Sequence, residues 1–244
     1  KLSVGRGLQK SLIQLSWEAA CKVRNVEHIV VATDDERIRT EAESFGAKVV
    51  MTSKKCRNGT ERCAEALKNI NFNGDLIVNL QGDAPLTPEW FVEDLIETFK
   101  KDPDTQMATP VLRLDKDSLN SFRLDRNSGR VGGTTVVFDN NNNALYFSKE
   151  IIPFFDEKRL MQAEACLIFH HVGVYAYRPE ILSKYHTWKE SDLESLEGLE
   201  QLRFLENRCS IKCVLVDSKG RTFWELNNPE DVMKIEKSIS KDIN

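Results

Sequence analysis

The sequence predicts an α/β protein whose sheet is assembled from βα repeats. Two observations lead there. Short apolar runs alternate with stretches of helical hydrophobic spacing, and two successive apolar runs end in polar loops, at Thr33-Asp34 and at Gln81-Gly82-Asp83. A third is negative: no internal repeat and no linker divides the 244 residues, so the chain reads as one unit of organisation.

Residues 11–23 place Leu12, Leu15, Ala19 and Val23 near helical spacing, with Ser11 as the N-cap. HIVVATDD is a strand with its exit loop. Asp35 and Glu36 then open a helix that Phe45-Gly46 ends, and KVVMTS supplies the next strand; strand, helix and strand in succession imply a parallel pair. Residues 58–70, NGTERCAEALKNI, are a loop entering a helix, followed by the buried strand of residues 76–80. WFVEDLIETFKK is an amphipathic helix and MATPVLRL a strand, after which residues 115–133 turn polar and irregular. Residues 134–148 are a hairpin around an Asp-Asn turn, and residues 170–178 alternate like a strand. SDLESLEGLEQLRFLENR reads as one helix, with Leu193, Leu196, Leu199, Leu202 and Leu205 along it. IKCVLVDS is the last strand and PEDVMKIEKSI the last helix, capped by Asn228 before Pro229.

Lys plus Arg number 34 against 38 Asp plus Glu, a net charge of −4 that gives no general footprint for nucleic acid or a membrane surface. Neither is an expected partner, and an anionic ligand must be caught locally. The six cysteines lack a paired zinc spacing and read as free thiols. With no signal-peptide pattern and no apolar run near the ~18 residues of a membrane span, a soluble cytoplasmic protein is expected.

The segment LIVNLQGDAPLT, residues 76–87, carries the clearest chemistry. Asp83 stands just past the carboxyl end of a strand, where ligands bind in open α/β sheets; Gly82 admits close backbone approach and Pro85 ends the strand. A divalent cation on Asp83 could bridge phosphate oxygens, as magnesium does with few protein ligands. A solvated loop carboxylate would give the same local pattern.

Taken in order and spacing, VATDDERI, MTSKKCRNGTER, VNLQGDAPLTP, NALYFSKEIIP, HHVGVYAYR, LESLEGLEQLRFLE and NNPEDV resemble the 3-deoxy-manno-octulosonate cytidylyltransferases, the CMP-Kdo synthetases of lipopolysaccharide assembly. The resemblance implies a three-layer, Rossmann-like fold of the nucleotide-diphospho-sugar-transferase kind with a mixed, mostly parallel sheet. It implies a single domain over residues 1–244, with residues of roughly 115–206 forming the sugar-binding and dimerisation subregion, and a homodimer. The implied reaction joins CTP and the acidic sugar Kdo, releases pyrophosphate and requires magnesium.

By the same resemblance Asp83 is the magnesium ligand, and Gln81 and Gly82 lie at the nucleotide. Asn58, Gly59, Thr60 and Arg62 belong to the loop contacting cytidine, with Arg62 either supporting the loop or meeting phosphate. The loop's own residues equally suit a plain helix start with Thr60 as cap and Glu61 in the first turn. His171 and Tyr175 match an HxGxY strand on one face, and Glu200 and Gln201 match positions bonding sugar hydroxyls. Lys149 stands where the family often has Arg, facing the sugar carboxylate, and is implied to be catalytic together with Asp83.

Departures are visible too. The chain starts at Lys1-Leu2-Ser3, so the family's first strand and phosphate loop are expected to be missing, with Lys1 matching the loop's closing lysine. Asn227 takes the place of a second metal-binding Asp, Ala84 that of a Glu, and Thr135 that of a basic residue. These allow two other readings: activation of another acidic sugar, such as an amino-substituted octulosonate, or a truncated or diverged non-catalytic nucleotide-binding domain.

Overall fold

Ser11 accepts a hydrogen bond from the Gln14 N–H at 3.3 Å and so starts α1 (Leu12–Cys21). The coordinates, a computed structural model, describe residues 2–3, 9–131, 133–156, 166–221, 232–233 and 235–236. They divide into two compact units, Lys1–Glu93 with Ser218–Asn244, and Asp94–Asp217.

In the first unit, β1 (Leu2–Ser3) and β2 (Gln9–Lys10) form a short antiparallel ribbon. After α1 come β3 (Val30–Thr33), α2 (Glu36–Ser44) and β4 (Lys48–Met51), a parallel βαβ unit running from Val30 opposite Lys48 to Thr33 opposite Met51. Asp35 caps α2 through the Arg37 N–H at 2.8 Å. Gly46 ends it at φ 87°, a left-handed turn that a side chain would strain. The apolar faces meet in a cluster of Val31, Ala42 and Ala47, against which Ile13, Trp17, Phe45 and Val49 pack. Then follow α3 (Gly59–Asn69), β5 (Ile77–Leu80) and the first turn of α4 (Glu89–Lys101).

The second unit is organised on β6 (Met107–Arg113). On one side β11 (Ile211–Val216) runs parallel to it; on the other lie β9 (Phe169–His171) and β10 (Val174–Tyr177), both antiparallel. The sheet continues through β7 (Thr134–Phe138) to β8 (Ala144–Ser148), again antiparallel. A mixed sheet is what the sequence implied, but among the described pairings of this unit antiparallel ones predominate, not parallel ones. Residues 139–143 are too few to cross over between parallel strands, and their Asp139 carboxylate folds the turn by accepting from Asn141 and Asn143 N–H at 2.9 and 2.8 Å.

Three further elements differ from the sequence reading. The stretch taken as irregular contains α5 (Lys116–Asn127), capped by Asp115 through the Ser118 N–H at 2.7 Å. Its buried side chains, Leu119 and Phe122, reach a cluster with Leu114 and Ile168. Two apolar contacts in twelve residues are too sparse a stripe to announce a helix.

The strand at residues 170–178 is broken between β9 and β10. Three steps along β6, from Val111 to Ala108, match five on the partner, from His171 to Ala176, so two extra residues bulge out. The Thr109 hydroxyl, 3.1 and 2.9 Å from the Val172 and Val174 carbonyl oxygens, donates between them. An even insertion preserves parity, so His171, Tyr175 and Tyr177 still share one face.

The leucine-rich helix is two short ones after α6 (Pro179–Tyr185): α7 (Asp192–Glu197) and α8 (Leu202–Glu206), separated at Gly198 with φ 62°. The left-handed turn swings the stripe, so Leu199 and Leu202 are buried while Leu196 is 83% exposed. Arg203 and Glu194, both buried, lock the two helices through Nε–Oε2 and Nη2–Oε1 contacts of 2.6 and 2.5 Å. Of the last helix, residues 232–233 and 235–236 are helical; its Asn228 cap lies outside the described residues.

Candidate functional site

In the first unit the residues of interest collect at the carboxyl ends of β3, β4 and β5. Thr52, just past β4, donates its N–H to the Thr33 carbonyl at 2.9 Å, which draws two strand ends together. From α3, Arg62 Nη1 reaches both, meeting Asp34 Oδ1 at 3.1 Å and Thr52 Oγ1 at 2.7 Å. Through Nη1, Arg62 supports the two strand ends. The helix start is capped by Asn58, whose Oδ1 accepts the Glu61 N–H at 2.8 Å, and Gly59 is the first helical residue. Thr60, read as the alternative cap, is instead buried in the first turn: a cap must precede the first helical residue, and Asn58 holds that position. Glu61 pairs with Arg57 at 2.7 Å.

The loop after β5 is anchored by backbone. Ser16 of α1 donates to the Gly82 carbonyl at 2.8 Å, and the Ala84 N–H to the Gln81 carbonyl at 3.3 Å, with the Ala84 side chain fully buried. Asp83 is half-buried on this loop, and burial raises its pKa above the ordinary carboxylate value. Among the described residues no Lys, Arg or His forms an ion pair with it. An uncompensated, partly desolvated carboxylate is the donor type that a cation relieves. Among the described residues no group of three or more His, Cys, Asp or Glu could hold a metal; Asn227 and Lys1 lie outside them.

In the second unit His171 and Tyr175 stand 5.4 Å apart by ring centroids, with Phe147 of β8 edge-on to His171 at 5.0 Å. Tyr175 donates its hydroxyl to Gln201 Oε1 at 3.1 Å. Gln201, the residue before α8, is 1% exposed. His171 Nε2 and Gln201 Nε2 are both buried without a hydrogen-bond partner. Burial, and then the neighbouring His170, depress the His171 pKa to about 3, so its ring is neutral at physiological pH. Glu200 is half-buried, and its backbone carbonyl accepts from the Tyr185 hydroxyl at 3.2 Å.

Lys149 follows β8 and lies against the α7–α8 turn: a Cβ on Gly198 would come within 2.8 Å of its Nζ. Glu197 was not foreseen. It accepts from the Ser148 hydroxyl at 2.7 Å and the Lys149 N–H at 2.9 Å. In the sequence nothing separates it from Glu194, three residues earlier on the same helix, which points instead into the ion pair with Arg203.

A solved structure of a CMP:2-keto-3-deoxy-manno-octonic acid synthetase complexed with CTP is similar at TM-score 0.79, with 29% identity, covering 95% of this chain and 88% of that one. A 4-diphosphocytidyl-2C-methyl-D-erythritol synthase from Anaerococcus prevotii, 11% identical at TM-score 0.58, shares the fold alone. These define a nucleotidyltransferase-like α/β fold. The family model for cytidylyltransferases matches residues 8–212. A 3-deoxy-manno-octulosonate cytidylyltransferase of Maricaulis maris is 41% identical over 94% of this chain and 87% of that protein, and one of Chlamydia pneumoniae 36% over 95% and 84%. An 8-amino-3,8-dideoxy-manno-octulosonate cytidylyltransferase of a Shewanella species is 37% identical over 95% and 89%. The chain belongs to the cytidylyltransferase family, and within it to the 3-deoxy-manno-octulosonate cytidylyltransferases.

Proposed function

We propose that the chain activates Kdo with CTP, giving CMP-Kdo and pyrophosphate for lipopolysaccharide assembly, as a magnesium-dependent cytoplasmic homodimer. The observation that carries the sugar assignment is the pair of orphaned nitrogens, His171 Nε2 and Gln201 Nε2. Buried polar atoms almost always have partners, and a polyol supplies them.

The sugar's anomeric hydroxyl attacks the α-phosphorus of CTP, forming one P–O bond while the bond to pyrophosphate breaks. The protein's task is positioning and charge neutralisation rather than covalent catalysis. In this reading Gln81, Gly82 and the loop with Asn58, Gly59 and Thr60 hold the nucleotide, and Arg62 keeps that loop in place. Asp83 would hold magnesium, with Asn227 as the second position; bound there, the ion neutralises charge on phosphate oxygens. Lys149 meets the sugar carboxylate as a point charge, without the two-pronged fork of an Arg. Neutral His171, Tyr175, Glu200 and Gln201 bond the hydroxyls.

The homodimer draws support from exposed apolar side chains of the second unit, Leu145 and Leu167, and from Phe154 at 95% exposure. The cytoplasmic assignment rests on six cysteines that are all free thiols. No helix of the described residues is long and apolar enough to cross a membrane.

The test is pyrophosphate release from CTP with magnesium, using Kdo and its 8-amino analogue in parallel. Turnover with Kdo exceeding that with the analogue is expected. The Shewanella relative motivates the second sugar, and preference for it would move the assignment there. No turnover with either, from a folded protein, would refute an enzymatic role.

A further inference from the structure

Lys149 sits outside the regular ladder, at the start of a turn after β8. What fixes that turn is a set of side chains. Thr135 of β7 donates its hydroxyl to the Glu150 carbonyl at 2.6 Å and accepts the Ile152 N–H at 3.1 Å. Ser148 accepts the Glu150 N–H at 3.0 Å while donating to Glu197 at 2.7 Å, and the other Glu197 oxygen takes the Lys149 N–H at 2.9 Å. The residue that departs from the family's basic pattern, Thr135, is thus part of the frame, fully buried.

The frame consumes the backbone N–H groups of Lys149, Glu150 and Ile152, while the Lys149 ammonium forms no ion pair among the described residues. It rests beside Gly198, where the left-handed turn and the missing Cβ leave the room it occupies. Glu197 and Gly198 are consecutive, so one helix end both grips the Lys149 backbone and seats its side chain.

We infer that Glu197 is a positioning residue of the sugar half-site: its carboxylate clamps the Ser148 hydroxyl and the Lys149 backbone N–H so that the Lys149 ammonium is held for the substrate carboxylate. Glu197 touches no substrate atom in this role and acts through Lys149. The inference rests on the Kdo-activating reading for its ligand, while the clamp itself is independent of it. Because Glu197 already spends both oxygens on neutral donors, it leaves the ammonium for an external anion; an ion pair between the two would have silenced it.

The experiment is a double-mutant cycle in the full chain. Glu197→Gln keeps the shape but turns an amide N–H toward either the Lys149 N–H or the Ser148 and Tyr146 hydroxyls, all of which donate to the native carboxylate. It should raise the KM for the sugar acid roughly tenfold or more, the order expected for losing a charge-assisted hydrogen bond, with the KM for CTP unchanged. Lys149→Met should raise the sugar KM at least as far, and the double variant should be no worse than Lys149→Met alone. Glu197→Asp, which retains the carboxylate, should recover part of the loss. Additive effects in the double variant, or equal rises in both KM values, would overturn the inference. Amide hydrogen exchange supplies the arm that needs no turnover. In Glu197→Gln the Lys149 N–H should exchange faster while the Ile152 N–H, held by Thr135, stays slow. If wild-type protein fails to turn over Kdo, the substrate reading falls and the exchange result alone decides the clamp: unchanged exchange at Lys149 refutes it.

Discussion

Asp83 and His171 are both shifted by burial, with opposite consequences. Desolvation raises the Asp83 pKa, so the folded chain holds that proton more tightly than the unfolded chain; stability from this group grows as pH falls and is lost as pH rises through the folded value. Asp83→Asn should therefore raise the melting temperature at neutral pH without metal, abolish any further rise on adding magnesium, and lower turnover on the order of 10²–10³-fold. A magnesium-induced shift that survives in the variant would remove Asp83 from the metal site. For His171 the folded pKa is depressed to about 3 from 6.5, and for His170 to about 4. The unfolded chain binds protons that the folded chain refuses, so this stability is complete above pH 6.5 and drains away as pH falls toward those values. Thermal melts between pH 7 and 4 should show the decline, and His171→Gln should flatten it; an identical slope would mean that folding does not depress the His171 pKa.

Within single elements, short polar side chains do much of the positioning. Asn58 caps α3 inside the loop assigned to cytidine, so two roles can be separated by chemistry. Asn58→Asp keeps a capping oxygen and Asn58→Ala does not; the alanine variant should lose about 1 kcal/mol in urea unfolding. If capping is all that Asn58 contributes, the aspartate variant retains full affinity for CTP, whereas an amide that also touches the base would be missed in both. The α7–α8 corner depends on the buried Arg203–Glu194 pair, with the Arg203 guanidinium 4.1 Å from the Tyr185 ring centroid. Glu194→Gln strands a buried cation and should cost about 3–5 kcal/mol by the same measurement. A loss below about 1 kcal/mol would show that water reaches Arg203. Caps and strand ends were legible because the residue types at Ser11, Asp35 and Gly46 allow few other conformations. The break at Gly198 was not legible: a glycine inside a strong leucine pattern is tolerated in many helices, and only Lys149 and the corner packing require it to turn.

For the whole molecule, the two units carry different halves of the assigned chemistry: Asp83 and the α3 loop in the first, Lys149, His171, Tyr175 and Gln201 in the second. Hydrogen exchange should therefore footprint the substrates separately. CTP should slow exchange around residues 52–62 and 77–84, and the sugar acid around residues 147–152, 171–177 and 198–202. A sugar footprint on the α3 loop would reverse the assignment. Ligand at about a hundred times its Kd should also add about 2.7 kcal/mol to the unit it binds.

The sequence by itself determined the βα order, the strand-end position of Asp83, the hairpin of residues 134–148 and the family, because turn chemistry and motif order are local or linear properties. Strand direction around β6, the two-residue bulge that keeps His171 and Tyr175 on one face, and the burial of Gln201 were decided only in three dimensions. So was the fate of each charge. Arg62 turned to Asp34, Glu194 to Arg203 and Glu197 to the backbone of Lys149, through pairings whose partners lie 9 to 48 residues apart and leave no periodic trace in the chain.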